Sequence, residues 1–264
     1  MPPLPRLMVA PNGARLTKAD HPALPITIEE VVEATLACRD AGADGLHAHI
    51  RDEGGAHVLD AGLYRELIAE CGRRLPGFQV QITTEAVGRY TPEEQRALVR
   101  AVRPASVSVA FREMWPEGAA DADARAATDF YRECAEGGIA VQHILYAPED
   151  VHRFARHLVA PGGLEPEFLQ TLYVLGRYTP GQRSAPEDLA PFLAAATETG
   201  VAATDWAICA FGARETECLA AAVRAGGKVR VGFENNRTMA SGKTAASNAE
   251  RVAEVAAAIA ETTV

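Results

Sequence analysis

The sequence predicts an α/β fold, a single (β/α)8 (TIM) barrel spanning residues 1–264. Three observations lead there. Short apolar runs alternate with amphipathic runs from one end of the chain to the other. Eight such strand–helix units in about 250 residues is the size and rhythm of a barrel closed by parallel strands. The polar residues that stand out also fall at the C-terminal ends of the predicted strands, the face on which such barrels carry their sites. A doubly wound sheet is the alternative, but it normally has a three-glycine nucleotide turn after its first strand. Pro11-Asn12-Gly13-Ala14 lacks that spacing.

Leu4–Ala10 reads as the first strand. Thr27 and Glu30 form a capping box, which satisfies free backbone donors at a helix start. The helix it opens runs Ile28–Ala41 and closes at Gly42. Gly45–Arg51 is the second strand and Asp60–Arg74 the helix after it. Phe78–Thr83 and Ser106–Ala110 are strands three and four, with a helix over Pro92–Val102 between them. Proline suits a first helical turn because its missing N–H has no partner there anyway. The remaining strands are Ile139–Tyr146, Leu169–Leu175, Ala203–Ala210 and Lys228–Phe233. The remaining helices are Asp123–Glu136, Pro148–Leu158, Pro186–Glu198, Arg214–Arg224 and Thr244–Glu261.

Composition narrows the partners. The formal net charge of -9, with no basic cluster, argues against nucleic acid. No apolar run approaches the roughly 20 residues that span a bilayer. The opening MPPLPRLMVAPNG lacks the layout of a secretory signal. The five cysteines are odd in number and form no CxxC pair, so reduced, mostly buried thiols in the cytoplasm are expected.

The chemistry centres on His47-Ala48-His49 in strand two and Glu234 after strand eight. Alternate strand residues share a face, so both imidazoles aim the same way, about 7 Å apart at the backbone. Two imidazoles and a carboxylate suit a divalent metal with an open position, which can polarise a carbonyl or activate water. Strands two and eight both neighbour strand one in the barrel, so their ends can converge. Thr83, Thr84 and Glu85 end strand three, Arg230 lies within strand eight, and Arg15 follows strand one. Ser106 and Ser108 share a face of strand four and are candidate substrate-binding hydroxyls.

The stretches APNGARLTKADHPALPITIEE (10–30), AGADGLHAHIRDEGG (41–55) and GGKVRVGFENN (226–236) resemble the β-keto acid cleavage enzymes, typified by 3-keto-5-aminohexanoate cleavage enzyme. The resemblance covers nearly the whole chain, and the last two stretches together are specific. It implies a zinc-dependent (β/α)8 barrel that forms homotetramers and condenses a β-keto acid with acetyl-CoA to give acetoacetate and a new acyl-CoA. It implies that His47, His49 and Glu234 hold the metal, and that Arg230 assists the catalytic carboxylate or the developing charge. It also places Thr83 at a substrate-site hydroxyl. The ligand set alone accepts manganese or cobalt as well as zinc.

Three positions depart from that family's pattern. Arg15 stands where the typical enzyme has a Glu suited to a substrate ammonium group. Its planar fork matches a carboxylate and points to a β-keto acid with a distal carboxylate, unless it turns to solvent or pairs with Glu85. Glu85 stands in place of Gly, and Asn235 in place of the Asp proposed as general base. An amide takes no proton at neutral pH; either Glu85 replaces it as the candidate base, or the base lies elsewhere, or the reaction differs. The loop 176–183, with Arg177 and Arg183, is a candidate for the CoA phosphates or simply a solvated loop. The competing readings are a CoA-independent metal aldolase or lyase, a metal-dependent hydrolase, and a catalytically silent barrel.

Overall fold

The computed structural model describes residues 2–159 and 164–262. Its strands are β1 (Leu7–Val9), β2 (Gly45–Ala48), β3 (Gln79–Thr83), β4 (Ser106–Ala110), β5 (Ala140–Leu145), β6 (Gln170–Leu175), β7 (Asp205–Ala210) and β8 (Lys228–Val231). They close in sequence order into one parallel barrel, with Met8 opposite both Gly45 of β2 and Arg230 of β8. The (β/α)8 barrel expected from the sequence is therefore the fold. Around it lie α1 (Ile28–Asp40), α2 (Ala61–Arg74), α3 (Pro92–Val102), a short α4 (Phe111–Met114), α5 (Asp121–Glu136), α6 (Pro148–Phe154), α7 (Ala190–Glu198), α8 (Glu215–Arg224) and α9 (Asn248–Ala260).

Burial explains why the strands read as continuous apolar runs. One face of each strand packs outward on the helices, where Leu46, Ile82, Val107, Val109, Ile208 and Val229 join the large core. The other face fills the barrel. Ile144, Leu172, Val174, Ala207 and Cys209 cluster on one side of that interior. The opposite side is polar: His47, Gln81, Ser106 and Gln142 are all buried there. Buried polar side chains persist only when they bond one another, and these do.

Several boundaries differ from the expected ones. The first strand begins at Leu7 rather than Leu4. The last strand stops at Val231, because Gly232 turns out of it with φ 145. A Cβ there would lie 2.3 Å from the carbonyl oxygen of Ala10, so only glycine fits. The final helix starts at Asn248 rather than Thr244, since the Ser247 side chain caps it by accepting from the Glu250 N–H. The helix expected over Pro148–Leu158 ends in a π turn at Ala155–Val159. The one over Pro186–Glu198 begins as a 3-10 turn at Pro186–Leu189.

Candidate metal centre and substrate cavity

His47 lies in β2 and His49 just beyond it, on the residue after the strand ends. Glu234 reaches them from the turn after β8, where its own N–H donates to the Ala10 carbonyl at 3.2 Å. The His47 and His49 Nε2 atoms are 3.2 Å apart. Glu234 Oε2 lies 3.5 Å from the first and 3.4 Å from the second. Metal–ligand bonds of about 2.0–2.1 Å in a tetrahedral site imply edges of about 3.3–3.4 Å between ligand atoms. The observed triangle therefore fits three corners of such a site and leaves the fourth open. Among the described residues, these three form a group able to hold a metal ion.

The surroundings prepare the donors. The His47 Nδ1–H donates to Gln81 Oε1 at 2.9 Å, and the Gln81 amide is held in that orientation by donating to Gln142 Oε1 at 3.2 Å. With its proton on Nδ1, His47 turns a free Nε2 lone pair to the triangle. Burial, with Arg230 beside it, holds His47 well below the ordinary histidine pKa and keeps it neutral. Burial alone would raise Glu234. The Arg230 guanidinium outweighs it and holds that carboxylate well below the usual range. Arg230 Nη2 donates to Glu234 Oε1 at 3.0 Å, leaving Oε2 for the triangle.

The triangle sits in a cavity of about 470 Å³ at the C-terminal mouth of the barrel. Such a volume is ordinary for a small-molecule site. Arg15, Thr83, Glu85, Arg230 and Asn235 line it, together with Arg177 and Gln182 of the loop 176–183. Arg230 is buried, yet its Nε and Nη1 have no hydrogen-bond partner among the described residues. The Asn235 amide, also buried, has none on either atom. Unpaired buried donors cost about 1–3 kcal/mol each, so these groups await a ligand.

The model of the beta-keto acid cleavage enzymes matches residues 6–263. The chain belongs to the β-keto acid cleavage enzyme family. It is 25% identical to the 3-keto-5-aminohexanoate cleavage enzyme of Fusobacterium nucleatum subsp. nucleatum, over 92% of this chain and 86% of that one. It is 31% identical to the 3-oxoadipate:acetyl-CoA acetyltransferase of Cupriavidus necator over 104 residues, 39% of this chain and 36% of that one. In structure it resembles ObcA, described as a ternary complex with a C4-CoA adduct and oxalate, at a TM-score of 0.68 and 18% identity. That match covers 92% of this chain but only 65% of ObcA, and it speaks to the fold alone.

In this family member the departures take definite positions. Arg15 pairs with Glu85 through Nη1 and Oε1, the alternative weighed against a substrate contact. The other Glu85 oxygen lies 3.8 Å from His49 Nδ1. Ser106 and Ser108 do not line the cavity. Ser106 accepts from Gln81 in the polar layer beneath it, and the Ser108 hydroxyl is buried without a partner among the described residues. His143 takes no part in the site and faces the helices between the rings of Tyr131 and Phe154.

Sequence reasoning missed four residues that build the site. They are Gln81, Asn12, Arg51 and His57. Asn12 braces the backbone of His49, donating to its carbonyl at 2.9 Å. Buried Arg51 ties down the loop carrying Arg15, donating to the carbonyls of Gly13 at 3.1 Å and Leu16 at 3.0 Å. The His57 ring packs 5.0 Å from that of His49. Only Gln81 carried a signal, as a polar residue two positions before Thr83 and so on the same face of the strand; in the β2–β3 register it lies opposite His47.

Proposed function

We propose that this chain condenses a β-keto acid with acetyl-CoA, giving acetoacetate and a new acyl-CoA. His47, His49 and Glu234 hold the metal, with zinc first in order and manganese or cobalt next. The observation that carries the reading is the triangle of ligand atoms facing the cavity, edged at 3.2–3.5 Å, with unpaired Arg230 donors beside it. When bound, the metal supplies a Lewis acid for the substrate's carbonyl oxygens.

The chain's own residues do the rest. Glu85 takes the proton from the carbon between the keto and carboxylate groups, since Asn235 cannot. The carbanion attacks the thioester carbon of acetyl-CoA and the CoA thiolate leaves. That thiolate then adds to the keto carbon. The bond between that carbon and the acetoacetate carbon breaks, releasing the new acyl-CoA, and Glu85 returns its proton to the departing carbanion to give acetoacetate. Arg230 meets negative charge on oxygen as it develops, a task worth about 3–4 kcal/mol for one well-placed donor. Thr83 Oγ1 accepts the Glu85 N–H at 3.1 Å, which leaves its hydroxyl proton for substrate. The Asn235 amide orients the substrate, and Ser106 acts only indirectly, by accepting from Gln81 in the layer beneath the cavity. Arg177 and Gln182 at the mouth are placed for CoA phosphates.

Arg15 selects a substrate with a distal carboxylate. Its pair with Glu85 is half exposed on the Arg15 side. Such pairs contribute only about 0–1 kcal/mol, so an incoming carboxylate can displace it. The name of the Cupriavidus necator relative supports this class, because 3-oxoadipate is a β-keto dicarboxylate. The chain would act as one domain over residues 1–264, as a cytoplasmic homotetramer.

The test is a mass-spectrometric screen of zinc-loaded protein with acetyl-CoA and β-keto acids bearing cationic, neutral and anionic ends. Acetoacetate with a new acyl-CoA, fastest from the dicarboxylates, is the expected result. No CoA product from any member would refute the reading.

A further inference from the structure

The two candidate ligand histidines are not equally served. His47 has its outer nitrogen satisfied, because Nδ1–H donates to Gln81 Oε1 at 2.9 Å. His49 turns Nε2 to the triangle in the same way, yet its buried Nδ1 has no hydrogen-bond partner among the described residues. A metal-bound imidazole carries its proton on the outer nitrogen, and that proton is normally taken by a carboxylate, carbonyl or water. Glu85 Oε2 stands 3.8 Å away. That is too long for a hydrogen bond. Closing it requires a shift of about 1 Å, and Arg15 holds the carboxylate by its other oxygen.

Glu85 is not a loosely hung rim acid. Its N–H donates to Thr83 Oγ1 at 3.1 Å, and its carbonyl accepts from His57 Nε2 at 3.0 Å. The next N–H, of Ala86, donates to Glu113 Oε2 at 2.9 Å. Val87 then adopts φ 48, a left-handed conformation that costs a β-branched residue about 1–3 kcal/mol. Three successive residues, Glu85, Ala86 and Val87, are therefore held so that one carboxylate lies between Arg15 and His49.

We propose that Glu85 is a positioning residue for the metal ligand His49, and that Arg15 sets how firmly it acts. With Arg15 holding Oε1, the carboxylate stands off from His49. When an anionic group takes the Arg15 guanidinium, Glu85 closes on His49 Nδ1–H, which sharpens the ligand's orientation and raises its basicity. An anion at Arg15 therefore tightens the metal. By thermodynamic reciprocity the metal tightens the anion to the same extent. This rests on the metal site proposed above and is independent of the proton-acceptor role of Glu85. It gives Arg15 a second reason to favour substrates with a distal carboxylate.

The experiment measures zinc affinity by chelator competition, without substrate, for wild type, Arg15→Ala, Glu85→Gln and the double variant. Arg15→Ala frees Glu85 and is expected to bind zinc several-fold tighter. Glu85→Gln is expected to bind about 10- to 100-fold weaker than Arg15→Ala, the usual effect of losing an engaged outer carboxylate, with wild type between the two. In the Glu85→Gln background, removing Arg15 should change nothing, because its effect passes through Glu85. The ligand-field bands of the cobalt-loaded protein should differ between Arg15→Ala and wild type and coincide between Glu85→Gln and the double variant. Melting curves of the metal-free variants check the fold. An Arg15 effect of equal size in both backgrounds would overturn the proposal, as would Glu85→Gln binding zinc as tightly as Arg15→Ala. A wild type that binds no zinc would instead remove the metal site itself.

Discussion

Three buried histidines show how environment divides one side chain among different tasks. His47 is oriented by a glutamine and His49 faces a carboxylate, whereas His143 meets only rings. Burial alone pushes His143 down to about 3. It is therefore neutral in the folded chain, while in the unfolded chain it titrates near 6.5. Between those values the unfolded state binds more protons, so stability is present above pH 6.5 and falls as pH drops toward 3. For one such group the loss between pH 7 and pH 5 is about 2 kcal/mol. His57, pushed down by burial to about 4, acts in the same direction. Denaturant titrations at pH 7 and pH 5 should show His143→Leu losing about 2 kcal/mol less than wild type over that interval. Parallel losses in the two proteins would show that His143 is not held neutral.

At the scale of elements, the site depends on the loop after β1 and the turn after β8 passing against each other. Gly13, at φ 59, lies where a Cβ would come within 2.7 Å of Glu234 Cγ. Gly88, at φ 72, has nothing within 4 Å of the same point. Both positions favour glycine, so Gly→Ala should cost about 1 kcal/mol of stability at either. Only Gly13→Ala should also displace Glu234, weakening zinc at least tenfold while Gly88→Ala leaves it unchanged. Equal zinc affinity in the two variants would mean that the β1 loop does not set the position of Glu234. This scale also marks where the sequence stops being legible. The strands could be read because burial on both faces leaves a continuous apolar run, and the ligand pair because alternate strand residues share a face. The Arg15–Glu85 contact joins loops 70 residues apart, and Asn12 meets His49 across 37. No local pattern encodes such contacts. The start of the last helix was misplaced at Thr244, while that at Pro92 was not, because Thr244 followed by two alanines resembles a capped helix opening, whereas the chain there is held in a turn by Thr238 bridging Thr244.

For the whole molecule, the ligands join the barrel across its point of closure. His47 and His49 come from β2, Glu234 follows β8, and β1 alone separates the two strands. The donor set brings together two facing imidazole nitrogens and a carboxylate beside a guanidinium, an arrangement suited to a cation. An ion that binds the folded barrel and not the unfolded chain stabilises it by RT ln(1 + [L]/Kd), about 4 kcal/mol at a thousandfold excess over Kd. In a chain of this size each kcal/mol moves the melting temperature by roughly 2–4 °C. Zinc at that excess should therefore raise the Tm by roughly 10 °C, and EDTA should reverse it. His47→Ala and Glu234→Gln should melt at temperatures that zinc does not change. The response also separates stability from chemistry, since Arg230→Met removes a donor to developing charge but no ligand atom. Its Tm should still rise with zinc while kcat falls by about two to three orders of magnitude. A zinc response retained in both ligand variants would place the metal elsewhere in the molecule.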